Sequence, residues 1–171
     1  MIFVTVGTHE QPFDRLVGSV DRLKEEGKIK QDVFIQTGYT RIEPRFCVYE
    51  PLIGFEEMNR KINDAEIVIT HGGPGSIMSS LYCGKIPIVV PRRKEFGEHV
   101  DNHQVLFTRK LEEIRKVIAV FDIDDLETRL REYKKVAARL SNQAEGRIEP
   151  AQRAAAFSAA LEEMTRRLLR K

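Results

Sequence analysis

The segment His71-Gly72-Gly73-Pro74-Gly75-Ser76 sets an imidazole, three glycines and a hydroxyl side by side, directly after the apolar run Ile67-Val68-Ile69-Thr70. That combination suits an anion. Glycines let the backbone approach a ligand closely. A helix starting at or near Ser76 would present unpaired N–H groups and a partial positive charge, which together hold a phosphate. Ser76 is a further donor, and His71, at the strand end, can offer an imidazole N–H to the same anion. A plainer role also fits, with Ser76 capping a helix and the glycines turning the chain.

Short apolar runs alternating with amphipathic stretches must position these groups. The pattern predicts strands at Ile2–Val6, Asp32–Gln36, Arg45–Tyr49, Ile67–Thr70, Ile86–Val90 and Val117–Phe121. It predicts helices at Pro12–Glu26, Phe55–Asn63, Gly75–Cys83, His99–Lys110, Asp124–Leu140 and Pro150–Leu169. Pro12 and Pro150 suit first-turn positions, and Gly27 and Gly84 suit C-terminal stops. Nearly continuous apolar strands between helices imply a Rossmann-like α/β fold, a parallel sheet of about six strands with helices on both faces. The expected organisation is a nucleotide-binding domain over residues 1–141, a polar hinge at 142–149, and a C-terminal amphipathic helix over 150–171. Phe157, Leu161, Met164 and Leu168 form one stripe on that helix, for its own domain or a partner. In such sheets ligands bind beyond the carboxyl ends of the strands. This directs attention to four loops, Gly7–Gln11, Thr37–Thr40, His71–Ser76 and Pro91–Asp101.

The window from Thr70 to Asn102 resembles the nucleotide-sugar box of inverting GT-B glycosyltransferases. The residues carrying the resemblance are His71, Gly73, Ser76, Gly84, Pro91, the pair Glu98-His99, and Asn102. It is closest to the soluble donor-binding subunits of split transferases. These include the cytosolic subunit of the eukaryotic lipid-linked N-acetylglucosaminyltransferase and bacterial capsular or exopolysaccharide enzymes. Phe3-Val-Thr-Val-Gly-Thr-His9, Phe13-Asp14-Arg15-Leu16 and the run from Pro91 to Gln104 are similar to the bacterial group. The chain would then be a single GT-B half-domain, of the C-terminal type. The resemblance implies that Gly7 and Thr8 line the donor cleft, with His71, Gly72, Gly73, Gly75 and Ser76 on the diphosphate. Glu98 and His99 would face the donor sugar, with Asn102 and Gln104 supporting that loop. Many relatives carry Glu one turn into the helix for the ribose; here Ser79 stands there, and Ser79 or Ser80 would have to substitute.

Other residues admit two readings. His9 follows the first strand at the ligand edge and is a weak candidate for a catalytic base. His103 reads as structural, and Gln36, Thr37 and Gly38 could add a polar contact. Arg92, Arg93 and Lys94 are either a solvated charge run or an attractive patch beside the diphosphate. Cys47 and Cys83 read as small core residues in a reducing cytoplasm, with no CxxC and no His spacing suited to a metal.

A net charge of +2 argues against a nucleic-acid binder. The first strand pattern begins at Ile2, so no secretory leader is expected, and no apolar run is long enough to span a membrane. The resemblance implies an inverting hexosyl transfer from a UDP-sugar to a lipid-linked glycan in polysaccharide biosynthesis. A membrane-associated partner would bind the acceptor and supply the base, with the chain held at the cytoplasmic face. No metal or cofactor is expected, since the diphosphate loop has no Asp-x-Asp. A homodimer could form in the partner's absence. A hydrolase is disfavoured because no G-x-S-x-G elbow is present, and an epimerase of related architecture would need both domains in one chain. A non-catalytic scaffold subunit is the rival that Ser79 favours.

Overall fold

The computed structural model describes residues 1–143. Six strands form one parallel sheet: β1 (Ile2–Thr5), β2 (Val33–Gln36), β3 (Val48–Glu50), β4 (Ile67–His71), β5 (Ile88–Val90) and β6 (Ile118–Ala119). The helices are α1 (Asp14–Glu25), α2 (Phe55–Asp64), α3 (Pro74–Tyr82), α4 (His103–Glu113) and α5 (Leu126–Gln143), with short 3-10 turns at Lys94–Phe96 and Ile123–Asp125. The strand order is β3-β2-β1-β4-β5-β6, the doubly wound Rossmann-like arrangement. α5 extends to Gln143, and the rest of the expected 142–149 hinge and the 150–171 helix lie outside the described residues. Among the described residues no helix is long and apolar enough to cross a membrane.

The two sheet faces bury separate sets of side chains, as the pleat requires. Ile2, Val4, Ile35, Ile67, Ile69 and Ile88 pack with Leu16, Val17 and Val20 of α1 and with Leu126 and Tyr133 of α5. Phe3, Phe34 and Val68 pack on the other face against Ile62 of α2, while Val89 meets Ile77 of α3 and Leu111 of α4. Val68 and Val89 are fully buried, so the central strands read as apolar on both sides.

Several element ends differ from the sequence expectation, each for a visible reason. β3 begins at Val48 rather than Arg45 because the N–H groups of Arg45, Phe46 and Cys47 donate to the Asp21 carboxylate. The same carboxylate and burial push the Cys47 thiol up to about 12, burial first, so this cysteine is inert. β5 begins at Ile88, after Pro87, which has no N–H for the ladder. α1 starts at Asp14 instead of Pro12, since the Gln11 and Pro12 carbonyls accept from Arg92. α4 starts at His103 instead of His99: residues 99–102 form turns in which Asp101 N–H donates to His99 Nδ1 and Lys94 N–H donates to Asn102.

Candidate functional site

The order of the sheet places its topological switch between β1 and β4, where consecutive connections leave on opposite faces. The loops after these two strands are Gly7–Pro12 and the turn from His71 into α3. Pro74 is the first residue of α3 and Gly73 its cap, one position ahead of the expected start at Gly75. Ile77 N–H donates to Gly73 O. The N–H groups of Gly75 and Ser76 precede that bond and have no helical acceptor. Gly75 is exposed and Ser76 half-buried, so the helix N-terminus opens outward at the carboxyl edge of the sheet. Ser76 sits inside the first turn and is not the cap.

His71 is wedged between the two loops. A Cβ on Gly7 would lie 2.5 Å from His71 Cε1, and one on Gly73 would overlap His71 Nε2. Burial, then the charge of Arg92, lowers the His71 pKa to about 4, against a hydrogen bond to the Thr5 backbone. The imidazole is therefore neutral at pH 7 and offers one N–H. Its folded pKa lies below the ordinary value of about 6.5. The unfolded chain therefore binds the extra proton between pH 6.5 and 4, and stability falls as the pH drops through that window. The expected slope from this one group approaches 1.4 kcal/mol per pH unit. Chemical denaturation of the wild type and His71→Asn between pH 4 and 7 checks it; parallel profiles would refute it.

The first loop is held from beneath by Gln36. Its Oε1 accepts from Thr5 Oγ1 at 2.7 Å and from Gly7 N–H at 3.1 Å, while Nε2 donates to Gly7 O and Pro51 O at 3.0 and 2.8 Å. Gln36, considered a polar contact at the edge, is thus a buried hub with its amide fully used. Thr8, beyond it, is exposed.

The Pro91–Gln104 loop departs most from expectation. Arg92 is not part of a solvated run: it is fully buried, the largest such side chain among the described residues. Its guanidinium donates to Val6 O at 2.8 Å, Gln11 O at 2.7 Å, Glu98 O at 3.1 Å and Pro12 O at 3.3 Å. Phe13 lies 4.7 Å beneath the cation. Arg93 donates to Phe121 O, and Lys94 alone of the three is exposed.

Glu98, expected on a sugar, faces inward. Arg15 grips it with both ends of the fork, Nε to Oε1 at 2.8 Å and a terminal nitrogen to Oε2 at 2.9 Å, and Arg93 N–H donates to Oε2 at 2.9 Å. With those bonds in place Glu98 is a positioning group. Asn102 accepts from Lys94 N–H and donates to Glu95, and Gln104 accepts from Arg92 N–H. Both act inside the loop.

His99 is buried, with its ring 4.6 Å from that of His9 and 4.6 Å, edge to face, from that of His103. His103, read as structural, belongs to the same group; with His71 it gathers all four histidines of the chain at one place. Burial, then His103 and His9, lowers the His99 pKa. His9 Nδ1 accepts from Gln11 N–H, which leaves Nε2 for a proton or a ligand.

Of the two ribose candidates, Ser80 is fully buried and donates to Ser76 O at 2.9 Å, inside its own helix. Ser79 is half-buried and borders an open groove with Phe55, Asn59, Met78 and Tyr82. Arg15, Gln36 and Arg92 are the residues that sequence reasoning undervalued. Arg15 had a signal in the Phe13-Asp14-Arg15-Leu16 string, but its partner Glu98 lies 83 residues away in sequence.

Comparisons with known proteins agree with this architecture. A UDP-N-acetylglucosamine transferase subunit ALG13 from Yarrowia lipolytica is 32% identical over 78 residues, 44% of this chain and 38% of that protein. The glycotransferase of kitacinnamycin superposes with a TM-score of 0.62 at 16% identity, over 83% of this chain and 37% of the other. The glycosyltransferase SnogD from Streptomyces nogalater gives 0.50 at 18% identity, over 93% of this chain and 43% of the other. The structural likenesses show the shared fold, and the chain spans well under half the length of each of these proteins. Residues 1–159 match the glycosyltransferase family 28 C-terminal domain, and the chain belongs to that family.

Proposed function

We propose that this chain is the donor-binding subunit of an inverting glycosyltransferase that takes a sugar from a UDP-sugar. The observation that carries the reading is the outward-facing start of α3, with the N–H groups of Gly75 and Ser76 opposite the Gly7–Thr8 loop at the switch point. Family membership supports it, as does the relative named as a UDP-N-acetylglucosamine transferase subunit. The diphosphate lies over Gly72, Gly73, Gly75 and Ser76, with the neutral His71 beside it. An acceptor hydroxyl attacks the anomeric carbon, the bond to the β-phosphate oxygen breaks, and UDP leaves with the electron pair. The helix N-terminus stabilises the developing charge without requiring a metal at the phosphates. The hydroxyl proton passes to a base on the partner, with His9 Nε2 the weaker local candidate. His99 faces the sugar, and Ser79 the ribose. The acceptor is a lipid-linked glycan of polysaccharide biosynthesis, bound by a membrane-associated partner at the cytoplasmic face.

Calorimetric titration with UDP, without added metal, tests the site. The wild type binds saturably, and Ser76→Ala weakens binding by roughly tenfold, the worth of a hydrogen bond to a charged group. Absence of wild-type binding, alone and with the partner, would leave the scaffold reading that Ser79 favours.

A further inference from the structure

We propose that His99, Asp101 and His103 form a binding site for a borderline divalent transition metal of the zinc type, distinct from the turn assigned to the diphosphate. Each residue offers one ligand atom, and the three atoms lie within 4.8 Å of one another. His99 Nδ1 is 3.4 Å from Asp101 Oδ1 and would exchange only its long hydrogen bond from Asp101 N–H, also 3.4 Å, for the ion, and His103 Nδ1 contacts the same oxygen. Ligand bonds of about 2.0–2.2 Å in a tetrahedral site put neighbouring donor atoms about 3.3 Å apart, so the first pair is already at coordination spacing. The second needs only a small rotation of His103, whose side chain is half exposed.

The surroundings hold the ligands in place. His99 is buried, with the ring of His9 against it, so its orientation is set before any ion arrives. His103 N–H donates to Asp101 Oδ1 at 3.0 Å, which fixes the carboxylate relative to the start of α4. Supporting contacts of this kind are what orient ligands in metal sites. Two imidazoles and one carboxylate suit zinc, cobalt or nickel, whereas magnesium and calcium prefer all-oxygen sets. Asp101 and His103 both face solvent, which leaves the remaining coordination position to water. The sequence pattern shows no His spacing suited to a metal; the proposed site departs from that expectation because the loop before α4 folds His99 back beside His103, the first residue of that helix.

Cobalt(II) is the probe, titrated into the untagged full chain and followed by its visible d–d absorption, with zinc added at the end. The wild type is expected to saturate at one cobalt per chain and lose the band to zinc. Asp101→Asn and His103→Ala each lower the affinity by about tenfold or more. Both side chains are exposed, so circular dichroism should show both variants folded. No saturable band in the wild type, or unchanged affinity in either folded variant, would overturn the site. The outcome does not depend on UDP binding, so the two proposals fail separately.

Discussion

Replacing Arg92 with methionine is expected to destabilise the domain by about 3–5 kcal/mol, because several buried carbonyls on two loops lose their donor together. The side chain is fully buried, and its donors serve carbonyls at Val6, Gln11, Pro12 and Glu98. Methionine fills much of the volume but leaves those oxygens without their donor, and an unsatisfied buried polar group costs about 1–3 kcal/mol. For a domain of this size the melting temperature should fall by roughly 10 °C. Arg92→Lys keeps the charge, which burial already depresses to a pKa of about 10. It supplies a point donor in place of a planar fork and should recover only part of the loss. Thermal and urea unfolding of both variants check this. A methionine variant within 1 kcal/mol of the wild type would mean that the guanidinium is not what joins the two loops. UDP affinity should fall in parallel, since the Gly7–Pro12 and Pro91–Gln104 loops share this anchor.

The second large effect is expected at Gly7. Its φ of +76° is in the left-handed region, where a Cβ costs roughly 1–2 kcal/mol. The added carbon would also meet His71 Cε1 at 2.5 Å, in a ring already packed against the Gly73 backbone. Gly7→Ala should therefore displace His71 and lower UDP affinity at least tenfold, about 1.4 kcal/mol, besides lowering stability. Gly18→Ala is the contrast. It lies within α1 at ordinary helical φ, and the nearest atom, the Ile42 Cδ1 methyl at 3.1 Å, belongs to an exposed side chain that can move. That substitution should be neutral or stabilising by up to about 1 kcal/mol. Calorimetry and unfolding on the pair would expose the error if Gly7→Ala behaved like Gly18→Ala.

The sheet was legible because its strands are short apolar runs that no other arrangement would bury. The strand-to-helix glycine turn was legible because it is local: strand, glycines and helix start are contiguous from Ile67 to Ser76. What escaped is long-range. Arg92-Arg93-Lys94 reads as a charge run until the fold brings the Val6 and Gln11 carbonyls to the first of them. Glu98 stands where a sugar contact belongs by position, but Arg15, far away in sequence, turns it inward. Gln36 ends a strand and offers no clue that it joins Gly7 to Pro51. The element ends failed for a related reason. Asp21 and His99 capture backbone N–H groups that periodicity assigns to regular structure.

The gathering of the histidines gives the protein an intrinsic spectroscopic label. The sequence contains no tryptophan, so indole fluorescence is silent. Its imidazoles, however, number four and all stand at the cleft, with His9, His99 and His103 in ring contact and His71 within electrostatic reach of two of them. In a histidine-selective nuclear magnetic resonance spectrum every imidazole signal therefore reports on this one region, with no background from the rest of the surface. A ligand, a proton or a partner arriving there would be read directly, signal by signal, in the unmodified chain.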